Sequence, residues 1–236
     1  IGQVIFGQQK VVDLSLVTLL SGGHGLLVGV PGLAKTKLVE TLGTVLGLDA
    51  RRVQFTPDLM PSDITGHAVL DPSQRDMSSG GIGALRVRRG PVFTNLLLAD
   101  EINRAPAKTQ ASLLEAMEER QVSVDGEPRP LPDPFLVAAT QNPVEHEGTY
   151  TLPEAQLDRF LMKISIPVPG RDDEVQVLQR HATGFDPKDL AGAGVQAVAS
   201  PAHLAAGARA VQQVEARPDV LAYIVDLARA TRQSPS

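Results

Sequence analysis

The stretch Gly29-Val30-Pro31-Gly32-Leu33-Ala34-Lys35-Thr36 decides how this chain is read. Ahead of it, Gly25-Leu26-Leu27-Val28 is a short apolar run of the kind buried in a sheet. Behind it, Lys37-Leu38-Val39-Glu40-Thr41-Leu42 has the pattern of a helix. A glycine-bearing turn between a strand and a helix start aims backbone N–H groups at one concavity, where the helix dipole adds positive potential. Lys35 then reaches the outer phosphates of a nucleotide, and the Thr36 hydroxyl offers an oxygen to magnesium. The strict form of such a loop is G-x-x-x-x-G-K-[ST]. Ala34 stands where the second glycine belongs, so an ordinary turn that precedes Lys-Thr is the competing interpretation.

Composition narrows the classes. The 236 residues, 42% hydrophobic and 21% charged, suffice for one large domain or one domain with a small companion. Ile1 is not a start methionine, so a longer parent protein is expected. Without cysteine there are no disulfides and no thiolate metal sites, which agrees with a reducing, cytoplasmic compartment. No run has the length of a membrane helix. The apolar stretch Val11–Leu20 is broken by Asp13, Ser15 and Thr18; Val12, Leu16, Leu19 and Leu20 share a helical face, which predicts a core helix rather than a signal peptide. A net charge of −5 argues against nucleic-acid binding by bulk charge, and 3% aromatics leave few stacking platforms.

Five apolar runs, Leu26–Val28, Val53–Phe55, Leu96–Ala99, Leu136–Thr140 and Met162–Ile166, alternate with helical patterns. That alternation predicts an α/β fold, a parallel sheet covered on both faces. Ligands of such sheets sit at the carboxyl ends of the strands, where Gly29, Asp100 and Asn142 all fall. Two hairpins interrupt the frame, one within Ser78–Phe93 and one within Gln121–Pro134, where Asp125-Gly126 is a strong turn signal. Pro106 suits the first turn of a helix that buries Leu113, Leu114 and Met117. After Pro167-Val168-Pro169-Gly170 the chain becomes alanine-rich, with helical patterns over Glu174–Arg180, Ala202–Val214 and Val220–Thr231. The expected division is a core over 1–169 and a helical domain over 170–236.

The chemistry gathers in a few places. Leu96-Leu97-Leu98-Ala99 ends in Asp100-Glu101, the form of a strand that brings one carboxylate to magnesium and a second to the attacking water. A solvated acidic turn is the bland alternative. Asn142, in Thr140-Gln141-Asn142-Pro143, could sense the γ-phosphate, or simply make an Asn-Pro turn. Arg159, in Leu157-Asp158-Arg159-Phe160, is either an arginine finger for a neighbouring subunit or a surface residue paired with Asp158 or Glu154. Arg86, Arg88 and Arg89 are better explained as the outward face of a hairpin than as a nucleic-acid or pore-loop site. The histidines His24, His67, His146, His181 and His203 show no zinc spacing, and no G-x-S-x-G elbow occurs.

Taken together these stretches resemble the MoxR family of AAA+ ATPases, over essentially the whole chain from Val4. The resemblance rests on Gly29–Thr36, Val53–Gly66, Gly90–Pro106, Ala139–Pro143 and Gly148–Phe160. Ala34, which weakened the generic pattern, is usual in that family. The resemblance implies an AAA+ P-loop core with a partial α-helical lid and inserted hairpins near the centre of a ring. It implies that Gly29, Val30, Pro31, Gly32, Leu33, Ala34, Lys35, Thr36, Lys37 and Asp100 bind ATP or ADP, with Mg2+ at Thr36 and Asp100. Ile5, Phe6 and Gly7 would lie against adenine; Lys35, Glu101, Asn142 and Arg159 would serve hydrolysis. It further implies a homo-oligomer, a hexameric ring, that works with a von Willebrand A-domain protein on a client protein, without nucleic acid or membrane insertion. Thr151 departs from the family's usual proline. The family's second sensor, an arginine, falls beyond Ser236.

Three other classes fit less well. A small-molecule P-loop kinase would share the loop, but Asp100-Glu101 with Arg159 points to hydrolysis. A GTPase would need an N-K-x-D motif, which does not occur. A nucleotide-gated assembly scaffold with little hydrolysis of its own is the remaining alternative.

Overall fold

The computed structural model describes residues 1–75, 83–143, 150, 152–187 and 189–233. Gly80-Gly81, His146-Glu147, Gly148-Thr149, Thr151 and the terminal Ser234-Pro235-Ser236 lie outside the described residues.

Five strands form the central sheet: β1 (Gly25–Val28), β2 (Ala50–Gln54), β5 (Leu96–Asp100), β8 (Leu136–Gln141) and β9 (Met162–Ser165). Their spatial order is β2-β5-β8-β1-β9, and every pairing is parallel. The continuous apolar runs follow from cover on both sides. In β5, Leu97 and Ala99 pack under one face while Leu96 and Leu98 pack under the other. Successive side chains of a strand alternate, so a strand with both faces covered must be apolar at every position.

One face is covered by α1 (Gln9–Leu20), α2 (Lys35–Leu46) and, across α1, by α7 (Pro201–Gln212). The other is covered by α3 (Pro61–Thr65) and α4 (Ala107–Glu119), whose Leu113, Leu114 and Met117 are buried as expected. Pro106 sits one residue outside the helix, at the N-cap of α4. The helix α1 forms where expected, but its buried face is Val11, Val12, Ser15, Thr18 and Leu19, and Leu20 is exposed. Two hydroxyls displace a leucine from the core side because each donates back along the helix, Ser15 Oγ to Val11 O and Thr18 Oγ1 to Leu14 O. They enter the core with their polar atoms already satisfied.

Two hairpins stand on this frame. The strands β6 (Gln121–Val124) and β7 (Glu127–Pro130) pair around Asp125-Gly126, as the turn signal predicts. The other hairpin starts earlier than expected: its strands are β3 (Gly66–Arg75) and β4 (Gly83–Arg89), not a unit contained in Ser78–Phe93. Asp71 and Pro72 hide β3 in the sequence, since both residues disfavour strands. At the neck of this hairpin Gly66 and Gly90 allow backbones to touch. A Cβ on Gly66 would overlap Arg88 O, and one on Gly90 would overlap Ile64 O.

After the one-turn helix α5 (Glu154–Leu157) and β9, the described chain runs through α6 (Arg171–Ala182), α7 and α8 (Pro218–Gln233). Neither α6 nor α8 buries a residue, whereas Val195 and Leu204 join the core beside Val12 and Leu19. No helix among the described residues is long and apolar enough to cross a membrane.

Candidate functional site

Because all five strands are parallel, their carboxyl ends meet along one edge. The register sets Gln54 beside Asp100, Ala99 beside Ala139 and Val28 beside Gln141. The residues that follow these ends, Gly29, Glu101 and Asn142, are therefore neighbours, with Asp100 at the last position of β5.

The loop Gly29–Ala34 joins β1 to α2. Gly32 and Ala34 both take the left-handed conformation, at φ 85° and 55°. Ala34 is the N-cap of α2 and offers no side-chain acceptor, so the first N–H groups of the helix receive no side-chain cap there. Such a helix start attracts an anion. Lys35 is buried, and its Nζ donates to Gly29 O and, at 3.3 Å, to Gln141 O. Its ammonium thus lies inside the bend of the loop.

Thr36 Oγ1 lies 3.4 Å from Asp100 Oδ2, a long hydroxyl–carboxylate contact. The other carboxylate oxygen of Asp100 accepts from Thr140 Oγ1 at 2.6 Å. Thr140 Oγ1 also accepts the Glu101 N–H at 2.8 Å, so one hydroxyl fixes both acidic residues. Glu101 itself is held at φ 57°, a left-handed backbone that costs a non-glycine residue on the order of 1 kcal/mol. Its Oε2 accepts from Gln54 Nε2 at 2.7 Å and from Arg104 at 3.0 Å. Arg52 reaches Asp100 Oδ2 from β2, through Nε at 3.0 Å and a terminal nitrogen at 2.7 Å. Asn142 is buried next to the Gln141 carbonyl that receives Lys35.

Arg52, Gln54, Arg104 and Thr140 are part of this site, and sequence reasoning assigned none of them a role. The signal for two of them was present: Arg52 and Gln54 stand two apart on one strand, so they share a face. Their target on the neighbouring strand, however, depends on sheet order, which residue spacing alone does not give.

Ile5 and Phe6 lie on the wall of a cleft of about 540 Å³ that also includes Gly32, Leu33, Lys37 and Pro169, whereas Gly7 is not among its lining residues and faces Asp173. Glu174, His181 and Phe185 line it as well. Phe185 meets Phe6 edge to face at 6.4 Å, and the Arg180 guanidinium lies 5.4 Å from the centre of the Phe6 ring. The cleft opens beside the loop and has the size of small-molecule pockets.

Arg159 is not in this cluster. It lies by the amino end of the sheet, where Leu161 N bonds to His24 O just ahead of β1, and it pairs with Glu118 at 2.7 Å. Neither Asp158 nor Glu154, its partners on the bland interpretation, provides the contact.

The residues present fit a magnesium nucleotide. Magnesium takes one or two protein oxygens and completes its shell with phosphate and water. Thr36 and Asp100 offer two oxygens close together at the uncapped start of α2.

This fold and this edge define a P-loop ATPase of the AAA type. Residues 24–162 match the ATPase family associated with various cellular activities (AAA). The chain is 52% identical over 178 residues to Chaperone MoxR1 of Mycobacterium tuberculosis, covering 75% of this chain and 45% of that protein. It is 44% identical to YeaC of Bacillus subtilis, covering 100% of this chain and 70% of that one. With Protein MoxR of Methylorubrum extorquens it shares 34% identity, covering 96% and 65%. A crystal structure from Cytophaga hutchinsonii superposes with a TM-score of 0.82 at 43% identity, over 98% of this chain and 66% of that one. The chain belongs to the MoxR family of AAA+ ATPases. It spans between 45% and 70% of the length of these curated relatives.

Proposed function

We propose that this chain binds ATP and hydrolyses it by attack of water on the γ-phosphate. The observation that carries this reading is the convergence of Lys35, Thr36, Asp100 and Glu101 within hydrogen-bond reach of one another's neighbours at the carboxyl edge. The N–H groups of Gly29–Thr36 cradle the phosphates, and Lys35 turns from the Gly29 and Gln141 carbonyls toward the outer ones. Thr36 and Asp100 hold magnesium, which when bound neutralises charge on the phosphate oxygens. Glu101 orients the attacking water, kept in position by Gln54. Asn142 lies where a side chain can sense the γ-phosphate. Backbone at Ile5, Phe6 and Gly7 packs on adenine, with Ile5 and Phe6 on the cleft wall. Catalysis here is positioning and charge stabilisation, since phosphoryl transfer asks for little covalent help.

In this reading residues 1–169 are the nucleotide-binding core and 170–236 part of a helical lid, tied down through Val195 and Leu204. Arg159, away from the chain's own site, serves the ATP of a neighbouring subunit in a ring of six. The ring acts in the cytoplasm as a chaperone-like remodeller, with a von Willebrand A-domain protein and a client. The chaperone role is supported by the name of the mycobacterial relative.

The test is ATP turnover per subunit as a function of protein concentration, with wild type and Arg159→Ala, on the full-length protein. Turnover per subunit should climb steeply as subunits assemble, and Arg159→Ala should lower the plateau by on the order of 10³-fold. A rate independent of concentration would overturn the role of Arg159. Tight Mg-ATP binding with assembly but no turnover would favour the nucleotide-gated scaffold.

A further inference from the structure

Asp100 Oδ2 has two claimants. Thr36 Oγ1 approaches it at 3.4 Å from the side where the loop would bring phosphate, and Arg52 grips it with two nitrogens at 3.0 and 2.7 Å. The other oxygen of Asp100 is taken by Thr140, and the carboxylate is only 10% exposed. A carboxylate so enclosed has lost most of its water and is held in place by the donors that replace it. Arg52 is one of those donors, yet half of its own side chain lies in water. It can therefore withdraw into solvent without leaving a buried guanidinium behind.

We propose that Arg52 is a resident counter-ion for the metal-side carboxylate, holding Asp100 in place without a cation and ceding Oδ2 when magnesium arrives with ATP. This rests on the ATPase reading above. Arg52 thereby sets the magnesium threshold of the site: the ion must outcompete a guanidinium already bound. Arg52 is a positioning residue and touches neither ATP nor the attacking water.

The same side chain is linked to the hydrolytic side of the site. Its terminal nitrogen also donates to Gln54 Oε1 at 2.5 Å, and Gln54 donates from its own nitrogen to Glu101 Oε2. Arg52, Gln54 and Glu101 thus form one chain of hydrogen bonds running parallel to the Asp100 contact. When Arg52 leaves Asp100, the amide that orients Glu101 loses its fixed donor. Metal arrival and release of the hydrolytic carboxylate become parts of one movement.

The experiment compares full-length wild type, Arg52→Gln and Arg52→Lys. Magnesium chloride is titrated into each with ATP held constant, following ATP binding by calorimetry, and thermal stability is measured in EDTA and in saturating magnesium. An ion pair half in water is worth little more than an exposed one, so Arg52→Gln should lower the half-saturating magnesium concentration by about 3-fold. It should also melt earlier than wild type in EDTA and regain most of the difference with magnesium and ATP. Arg52→Lys, which keeps the charge without the fork, should fall between the two. A merely structural arginine would raise the threshold or leave it unchanged, and either result in Arg52→Gln overturns the proposal. An Arg52→Lys threshold equal to that of Arg52→Gln overturns it as well. If wild type itself binds ATP equally with and without magnesium, the ATPase reading fails first and takes this proposal with it.

Discussion

The two ends of the central sheet both bury polar groups, and they satisfy them in opposite ways. At the amino end His24 sits just ahead of β1 with both ring nitrogens used: Nδ1 accepts the Val137 N–H at 3.0 Å, and Nε2 lies 3.2 Å from Met117 O. Phe135 packs edge to face on the ring at 6.1 Å. Every partner is backbone or apolar, so the arrangement is closed. At the carboxyl end the buried Thr140 hydroxyl anchors Asp100 and Glu101, but their remaining carboxylate oxygens are held by Arg52 and Arg104, side chains that are respectively 50% and 40% exposed. These last bonds are made by long, partly wet groups that can let go. One end is built to stay as it is, and the other to exchange its partners for a ligand.

Three substitutions or conditions probe that contrast. The largest effect belongs to Glu101→Gln. Glutamine keeps the size of the side chain and still accepts from Gln54, so the fold and ATP binding should persist. Turnover should fall by about 10² to 10⁴-fold, measured as steady-state phosphate release. Equal turnover would remove Glu101 from its role and make the two ends of the sheet alike.

The second effect belongs to the closed end and appears as a pH dependence. Burial pushes the pKa of His24 down from 6.5 to about 4; the bond to Met117 works against this and the charge of Arg120 adds to it. The unfolded chain takes up the proton near 6.5, whereas the folded chain resists until about 4. Stability from this group is therefore complete above pH 6.5 and is lost as pH falls toward 4. The loss should reach about 2 kcal/mol by pH 5 and roughly 3 kcal/mol in full. Denaturant melts at pH 7.5 and pH 5 should show the difference in wild type and lose that share of it in His24→Gln. A slope unchanged in the variant would mean that other groups dominate the acid response.

The smallest effect is expected at Ala34. Its left-handed backbone strains any residue with a Cβ, so Ala34→Gly should gain up to about 1 kcal/mol while restoring the strict phosphate-loop pattern. A loss of stability would show that the methyl group is packed rather than tolerated.

Much of the carboxyl edge could be anticipated, because its parts are continuous in sequence. The loop Gly29–Thr36 and the run Leu96–Glu101 each carry their own signal, and the doubly buried strands announce themselves by unbroken apolar character. The supports of that edge could not be anticipated. Arg52 and Gln54 gain meaning only once β2 lies beside β5, and the partner of Arg159 is Glu118, on a helix 41 positions earlier. The strand β3 was hidden for a local reason, the breakers Asp71 and Pro72 near its middle, where the pairing with β4 shifts register. On α1 hydrophobicity placed Leu20 inside, while Ser15 and Thr18 took the core side by bonding to their own helix.

The edge-to-face pair of Phe6 and Phe185 on the cleft wall has an optical consequence. These 236 residues contain no tryptophan, so the chain itself is dark where most proteins fluoresce. A lone indole introduced by Phe6→Trp would shine without background, from the wall of the cleft, under the Arg180 guanidinium. Filling and emptying of the cleft would then be visible as emission in real time, with no label attached to the nucleotide.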